Sequence, residues 1–127
     1  MKYQSGQLLR SEVDSFPMLK HFGVIYVEDN GQVKVMHNTP TKGGTEISTI
    51  EEFTSDRTIV DVTNSPLMLL SNYELKQRYL DCSGSFDLVR YNCEHFIDCM
   101  HGRKYGSEQV KTVVLFGGLL IGLYLAI

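Results

Sequence analysis

Met18 to Val27 and Gln32 to His37 are runs rich in β-branched and aromatic residues, joined by Asp29-Asn30-Gly31. Residues of that kind suit the pleated, half-buried surface of a sheet. Asn-Gly between two such runs is a strong hairpin signal, because both residues tolerate positive φ. The pair commits the chain to an antiparallel sheet. Its register matters, since a one-residue slip carries every side chain to the opposite face. A two-residue tip puts His21 and His37 on opposite faces. A three-residue tip, with Gly31 left-handed, sets Gly23 against His37 and makes His21 its diagonal neighbour on one face. The pattern favours the second register. Val33, Val35 and His37 then line the face of His21, Gly23, Ile25 and Val27, while Lys34 points away. Two histidines on one apolar face are costly to bury without a purpose.

The other elements are shorter. Gln7 to Arg10 reads as a first strand, and Asn38-Thr39-Pro40 closes the hairpin. Thr41 to Thr45, with its Gly-Gly pair, reads as a loop. Ser48-Thr49-Ile50-Glu51 has the form of a capping box for a short helix through about Phe53. Arg57 to Val62 alternates like a strand. Ser65-Pro66 opens a turn or helical piece. Ser71-Asn72-Tyr73-Glu74 is a second capping box, for a helix to about Cys82 that stops at Ser83-Gly84. Ser85 to Tyr91 reads as a strand. The expected class is α+β.

That last strand delivers the chain into Asn92-Cys93-Glu94-His95-Phe96. Asn92 is a good N-cap. Cys93, Phe96, Ile97 and Met100 form the stripe of a helix with one buried face, and Gly102 is a stop. Cys93 thus falls in a first helical turn, where the dipole and unpaired N–H groups favour a thiolate. A small buried core residue is the plainer account of the same position.

With 127 residues the chain is one domain with room for a real core. A net charge of −3 and the lack of a basic, aromatic-studded surface argue against nucleic acid as a partner. Three cysteines without C-x-x-C spacing weigh against a disulfide scaffold and a zinc ribbon, and suggest a reducing compartment. The polar start has no signal-peptide core. Thr112 to Ile127 carries no charge and is apolar all round, which on a helix means burial or lipid. Its helical length of about 24 Å is a little short of a hydrocarbon core. Arg103, Lys104 and Lys111 precede it as a cytosol-facing flank. We expect a C-terminal membrane anchor over residues 110–127, after a domain over residues 1–109.

A cysteine nucleophile needs a histidine within reach and a group to orient that histidine. Of four histidines, His95 sits two residues beyond Cys93 and points away from it, and His101 lies over two turns off. Both read as solvent-facing residues or caps. His21 and His37 remain, on the two strands of the hairpin. Two histidines and a cysteine are legitimate zinc ligands, but no other ligand spacing accompanies them, and no Asp or Glu is expected beside either histidine. No metal or other cofactor is called for.

His21-Phe22-Gly23-Val24-Ile25-Tyr26-Val27, then Val35-Met36-His37-Asn38, then Asn92-Cys93-Glu94-His95-Phe96 resemble the H-box and NC-box of the lecithin:retinol acyltransferase family. That family is a circularly permuted relative of the NlpC-type cysteine peptidases. The similarity runs over about residues 6 to 125. Tyr105-Gly106-Ser107-Glu108-Gln109-Val110 and the apolar tail are similar to the end of its small, membrane-anchored phospholipase/acyltransferases. Two departures are a longer hairpin between the histidines and Phe22-Gly23 where an aromatic pair is usual. The resemblance implies a permuted NlpC/papain-like fold, an antiparallel sheet packed on helices with a C-terminal hydrophobic helix. It implies Cys93 as nucleophile, His21 as base and His37 as the group that orients His21.

The expected activity is that of a thiol-dependent phospholipase/acyltransferase at the cytoplasmic face of a membrane. An acyl-Cys93 intermediate forms, with N–H groups at the helix start as oxyanion donors. The alternatives are a catalytically silent membrane-remodelling or adaptor protein, and a peptidase or amidase like the NlpC relatives.

Overall fold

The computed structural model describes residues 2–14, 16–89 and 91–102. It is α+β, with five antiparallel strands in the order β4-β3-β2-β1-β5. The strands are β1 (Leu8–Val13), β2 (Phe16–Val27), β3 (Val33–Thr39), β4 (Gly44–Thr49) and β5 (Arg57–Thr63). The helices are α1 (Ile50–Phe53), α2 (Asn72–Asp81) and α3 (Cys93–Met100), with 3₁₀ turns at Pro40–Lys42 and Pro66–Leu69.

The hairpin has the three-residue tip. Val27 pairs with Val33, Ile25 with Val35 and Gly23 with His37. The Gly31 N–H donates to Glu28 O at 2.8 Å, and Gly31 has φ +86°. A glycine there absorbs the left-handed turn that a side chain resists.

Alternation sends one set of side chains to each face of the sheet. On one face Val24 and Met36 pack with Leu75 and Tyr79 of α2 and Phe96, Ile97 and Met100 of α3. On the other, Leu9, Ile25 and Val35 pack with Phe53 of α1. The sheet is thus covered on both sides, and the two histidines point to the α1 side.

Four expectations need correction. Gly44–Thr49 is a strand paired with β3, not the continuation of a loop. The first capping box falls one residue later, with Thr49 as N-cap and Glu52 closing it. Ser85 to Tyr91 is no strand: Asp87 and Tyr91 exchange both backbone hydrogen bonds at 2.8 Å, which folds the segment on itself and buries Phe86 and Leu88. Cys82 and Cys99 form a disulfide, Cα–Cα 5.9 Å, against the expectation drawn from cysteine spacing. The pairing arises because the end of α2 and the last turn of α3 meet in the core, a tertiary fact that spacing does not carry. The second capping box, Ser71 to Glu74, has both its bonds.

Among the described residues no helix is long and apolar enough to cross a membrane. The expected anchor over residues 110–127 lies outside the described residues.

Candidate active site

α3 begins as its sequence suggests. The Asn92 side-chain oxygen accepts from the N–H groups of Glu94 at 2.9 Å and His95 at 3.1 Å. Asn92 Nδ2 donates to Leu88 O at 3.0 Å. His95 Nδ1 accepts in return from the Asn92 N–H at 3.1 Å, so His95 is a buried capping residue. His101 caps the other end, its Nδ1 2.9 Å from Ile97 O. Both rings are thus engaged in capping α3. The early N–H groups are already used: those of Glu94 and His95 by the Asn92 side chain, and that of Phe96 by Asn92 O at 3.0 Å. These three N–H groups are engaged within the cap and the first turn of α3.

The thiol of Cys93 stands outside the disulfide and is buried. It donates to the backbone carbonyl of Lys20 at 3.7 Å, a long contact to the residue just before His21. The sheet makes this possible. The β2–β3 ladder stops at Gly23↔His37, while β2 runs back to Phe16 and β3 on to Thr39. Beyond that point β2 pairs only with β1 and β3 only with β4. A fork opens between them. Asn38, on β3 just past the fork, donates from Nδ2 to Tyr91 O at 2.9 Å and Asn92 O at 3.3 Å. It clips the start of α3 to the place where the strands part.

His21 and His37 are 1% and 2% exposed, and they meet as the register requires. His21 Nε2 lies 2.8 Å from His37 Nδ1, the rings edge to face with centroids 5.1 Å apart. The Phe53 ring packs against both, at 5.1 Å from His21 and 5.0 Å from His37. Gly23 is small for a reason: a Cβ there would fall 2.4 Å from Val35 Cγ1 and 3.3 Å from the Phe53 ring. On its far side, His37 Nε2 lies 3.0 Å from Ser48 Oγ and 3.3 Å from Glu46 Oε2. His21 Nδ1 is buried with no hydrogen-bond partner among the described residues.

Burial, then the positive charge of Arg57, then His37 hold His21 well below the usual histidine pKa. Burial also lowers His37, opposed by its hydrogen bond to Glu46 and the charge there. Glu46 is lowered in turn, chiefly by that hydrogen bond. Both rings are therefore neutral and the carboxylate ionised at neutral pH. Arg57 comes from β5 with its guanidinium 5.4 Å from the centre of the Phe53 ring. It donates to Phe53 O at 3.0 Å and Thr39 Oγ1 at 3.4 Å, and pairs with Asp56 at 3.0 Å. A pocket of about 280 Å³ reaches His37 from this side, bordered by Thr39, Lys42, Glu46, Ser48 and Arg57.

The three expected residues thus lie around one fork: two histidines in direct hydrogen bond and the thiol against the peptide that carries one of them. Sequence reasoning missed Asn38, Glu46, Ser48 and Arg57, and wrongly kept carboxylates away from the histidines. The signal for Glu46 and Ser48 was the alternation Thr45, Ile47, Thr49 against Glu46, Ser48, hidden by reading Gly43-Gly44 as a loop. Among the described residues no group of side chains has the make-up of a metal site.

Compared with protein-family models, curated proteins and solved structures, the chain matches none.

Proposed function

We propose that this protein is a thiol-dependent phospholipase/acyltransferase of the lecithin:retinol acyltransferase kind, with a permuted NlpC/papain-like arrangement of sheet and helices. The observation that carries the reading is the buried Nδ1 of His21. It has no hydrogen-bond partner among the described residues, its ring is held from behind by His37, and the Cys93 thiol lies against the preceding peptide. A neutral imidazole with an open nitrogen is what a general base must be.

In this reading Cys93 gives its proton to His21 Nδ1 and its sulfur attacks the ester carbonyl of a phospholipid. The tetrahedral oxyanion forms at the positive end of α3. It collapses with the proton returning from His21 to the leaving alcohol, and the acyl group stays on Cys93. Water, an amine or a lysolipid then attacks the thioester, with His21 again as base, and the thiol is restored. His37 keeps the His21 ring in plane throughout. The apolar segment over residues 110–127 anchors the domain to the cytoplasmic face of a membrane, where it raises the effective substrate concentration.

One observation favours a catalytically silent membrane protein instead: Cys93, His21 and His37 are all closed to solvent. A single assay separates the two. The full chain on mixed micelles of labelled phosphatidylcholine is expected to release fatty acid, and Cys93→Ala to release none. Absence of release from the wild type across neutral and anionic lipid compositions sinks the enzyme reading.

A further inference from the structure

Glu46 and His37 are direct cross-strand partners on β4 and β3, so their side chains share a face. His37 has two nitrogens and three polar neighbours. Nδ1 meets His21 at 2.8 Å, while Nε2 meets Ser48 Oγ at 3.0 Å and Glu46 Oε2 at 3.3 Å. In a neutral imidazole one nitrogen donates and the other accepts, so fixing either end fixes the other. An ionised carboxylate only accepts. The Ser48 hydroxyl can donate or accept, and so imposes nothing.

We infer that Glu46 sets the tautomer of both histidines and thereby leaves the lone pair of His21 on Nδ1. The His37 Nε2–H donates to the Glu46 carboxylate, so His37 Nδ1 carries a lone pair. That lone pair accepts from the His21 Nε2–H. His21 Nδ1 is then the unprotonated nitrogen, the one with no partner among the described residues. The surroundings keep the relay in this state. Arg57 opposes a positive charge on either ring, and the two histidines are buried, so neither ring takes a second proton at neutral pH. Glu46 is a positioning residue, acting two rings away from the sulfur. Its use in catalysis rests on the enzyme reading above, but the tautomer does not.

The experiment is a two-bond ¹H–¹⁵N correlation spectrum of the histidine rings in the ¹⁵N-labelled full chain in detergent micelles. Wild type is expected to show Nδ1 of both His21 and His37 as unprotonated, pyridine-type nitrogen. Ser48→Ala is expected to leave this unchanged. In Glu46→Gln the amide can donate to His37 Nε2, which reverses both rings and places the proton on His21 Nδ1. Ester hydrolysis should then fall about 10²-fold or more through kcat, the scale of a lost general base. A wild-type spectrum with the proton on His21 Nδ1 overturns the inference whether or not Glu46→Gln folds. So does a Glu46→Gln spectrum identical to wild type, or a reversal caused by Ser48→Ala. If the tautomer reverses in Glu46→Gln while the wild type releases no fatty acid, the relay stands and the enzyme reading is what fails.

Discussion

Asn38→Asp changes one atom of a side chain that is wholly buried and aims its NH₂ group at two carbonyl oxygens. As a carboxylate it would turn a negative charge toward Tyr91 O and Asn92 O, two acceptors that repel it. Such a group neutralises instead, keeping its proton in the folded state and losing it in the unfolded chain above a pKa of about 3.9. A folded-state pKa raised in this way means stability is lost as pH rises. At about 1.36 kcal/mol per pH unit, the cost is about 4 kcal/mol at pH 7 and about 1.5 kcal/mol at pH 5. A protonated carboxyl has one O–H in place of two N–H donors, which adds about 1 kcal/mol at every pH. Urea unfolding of the full chain in micelles, followed by far-UV circular dichroism at pH 5, 6 and 7, measures this difference against wild type. A penalty under about 1 kcal/mol at pH 7, or one that does not shrink toward pH 5, shows that the Asn38 amide does not clip α3 to the fork.

Two further outcomes follow from the same site. Because the His21 pKa is lowered from 6.5 by folding, the unfolded chain takes the proton first; stability holds above about pH 6.5 and is lost below it. The loss is about 1.4 kcal/mol per pH unit from this group, and an acid slope just as steep in His21→Gln would refute it. The Cys82–Cys99 disulfide spans 17 residues, so Cys82→Ser should cost about 3 kcal/mol in the same unfolding experiment. An unchanged midpoint in Cys82→Ser would mean that the cross-link does not constrain the unfolded chain.

Local signals in the sequence were legible where local energetics decide the structure. The tip at Gly31 fixed the register, and register alone put His21 and His37 on one face. Asn92 and Ser71 were readable as caps because a cap is a contact between residues two or three apart. Pairings made at long range were not readable. Glu46 reaches His37 only because Gly44–Thr49 is a strand, and its short alternating run between a glycine pair and a cap was too weak a signal beside both. The helical stripe correctly sent Cys93 inward. What lies opposite it, the Lys20 carbonyl at an unzipped ladder, follows from where two strands part, which no residue type announces.

An eight-residue helix has little stability of its own, since isolated helices under about 12 residues are marginal in water. α3 must therefore take its position from what holds its ends. At its start are the Asn38 clip and the Asn92 cap, the latter tied back to Leu88 O. At its finish are the disulfide through Cys99 and the Arg78 guanidinium, which donates to Met100 O at 2.5 Å. Tyr91 joins the two systems, its hydroxyl donating to Cys82 O while its own carbonyl takes the Asn38 bond. Between the ends, Phe96, Ile97 and Met100 bury the face that meets the sheet. The dipole that favours a thiolate belongs to the helix, but the place where it points does not. That is set by residues far away in sequence: Asn38 on β3 at one end, and Arg78 and Cys82 at the other.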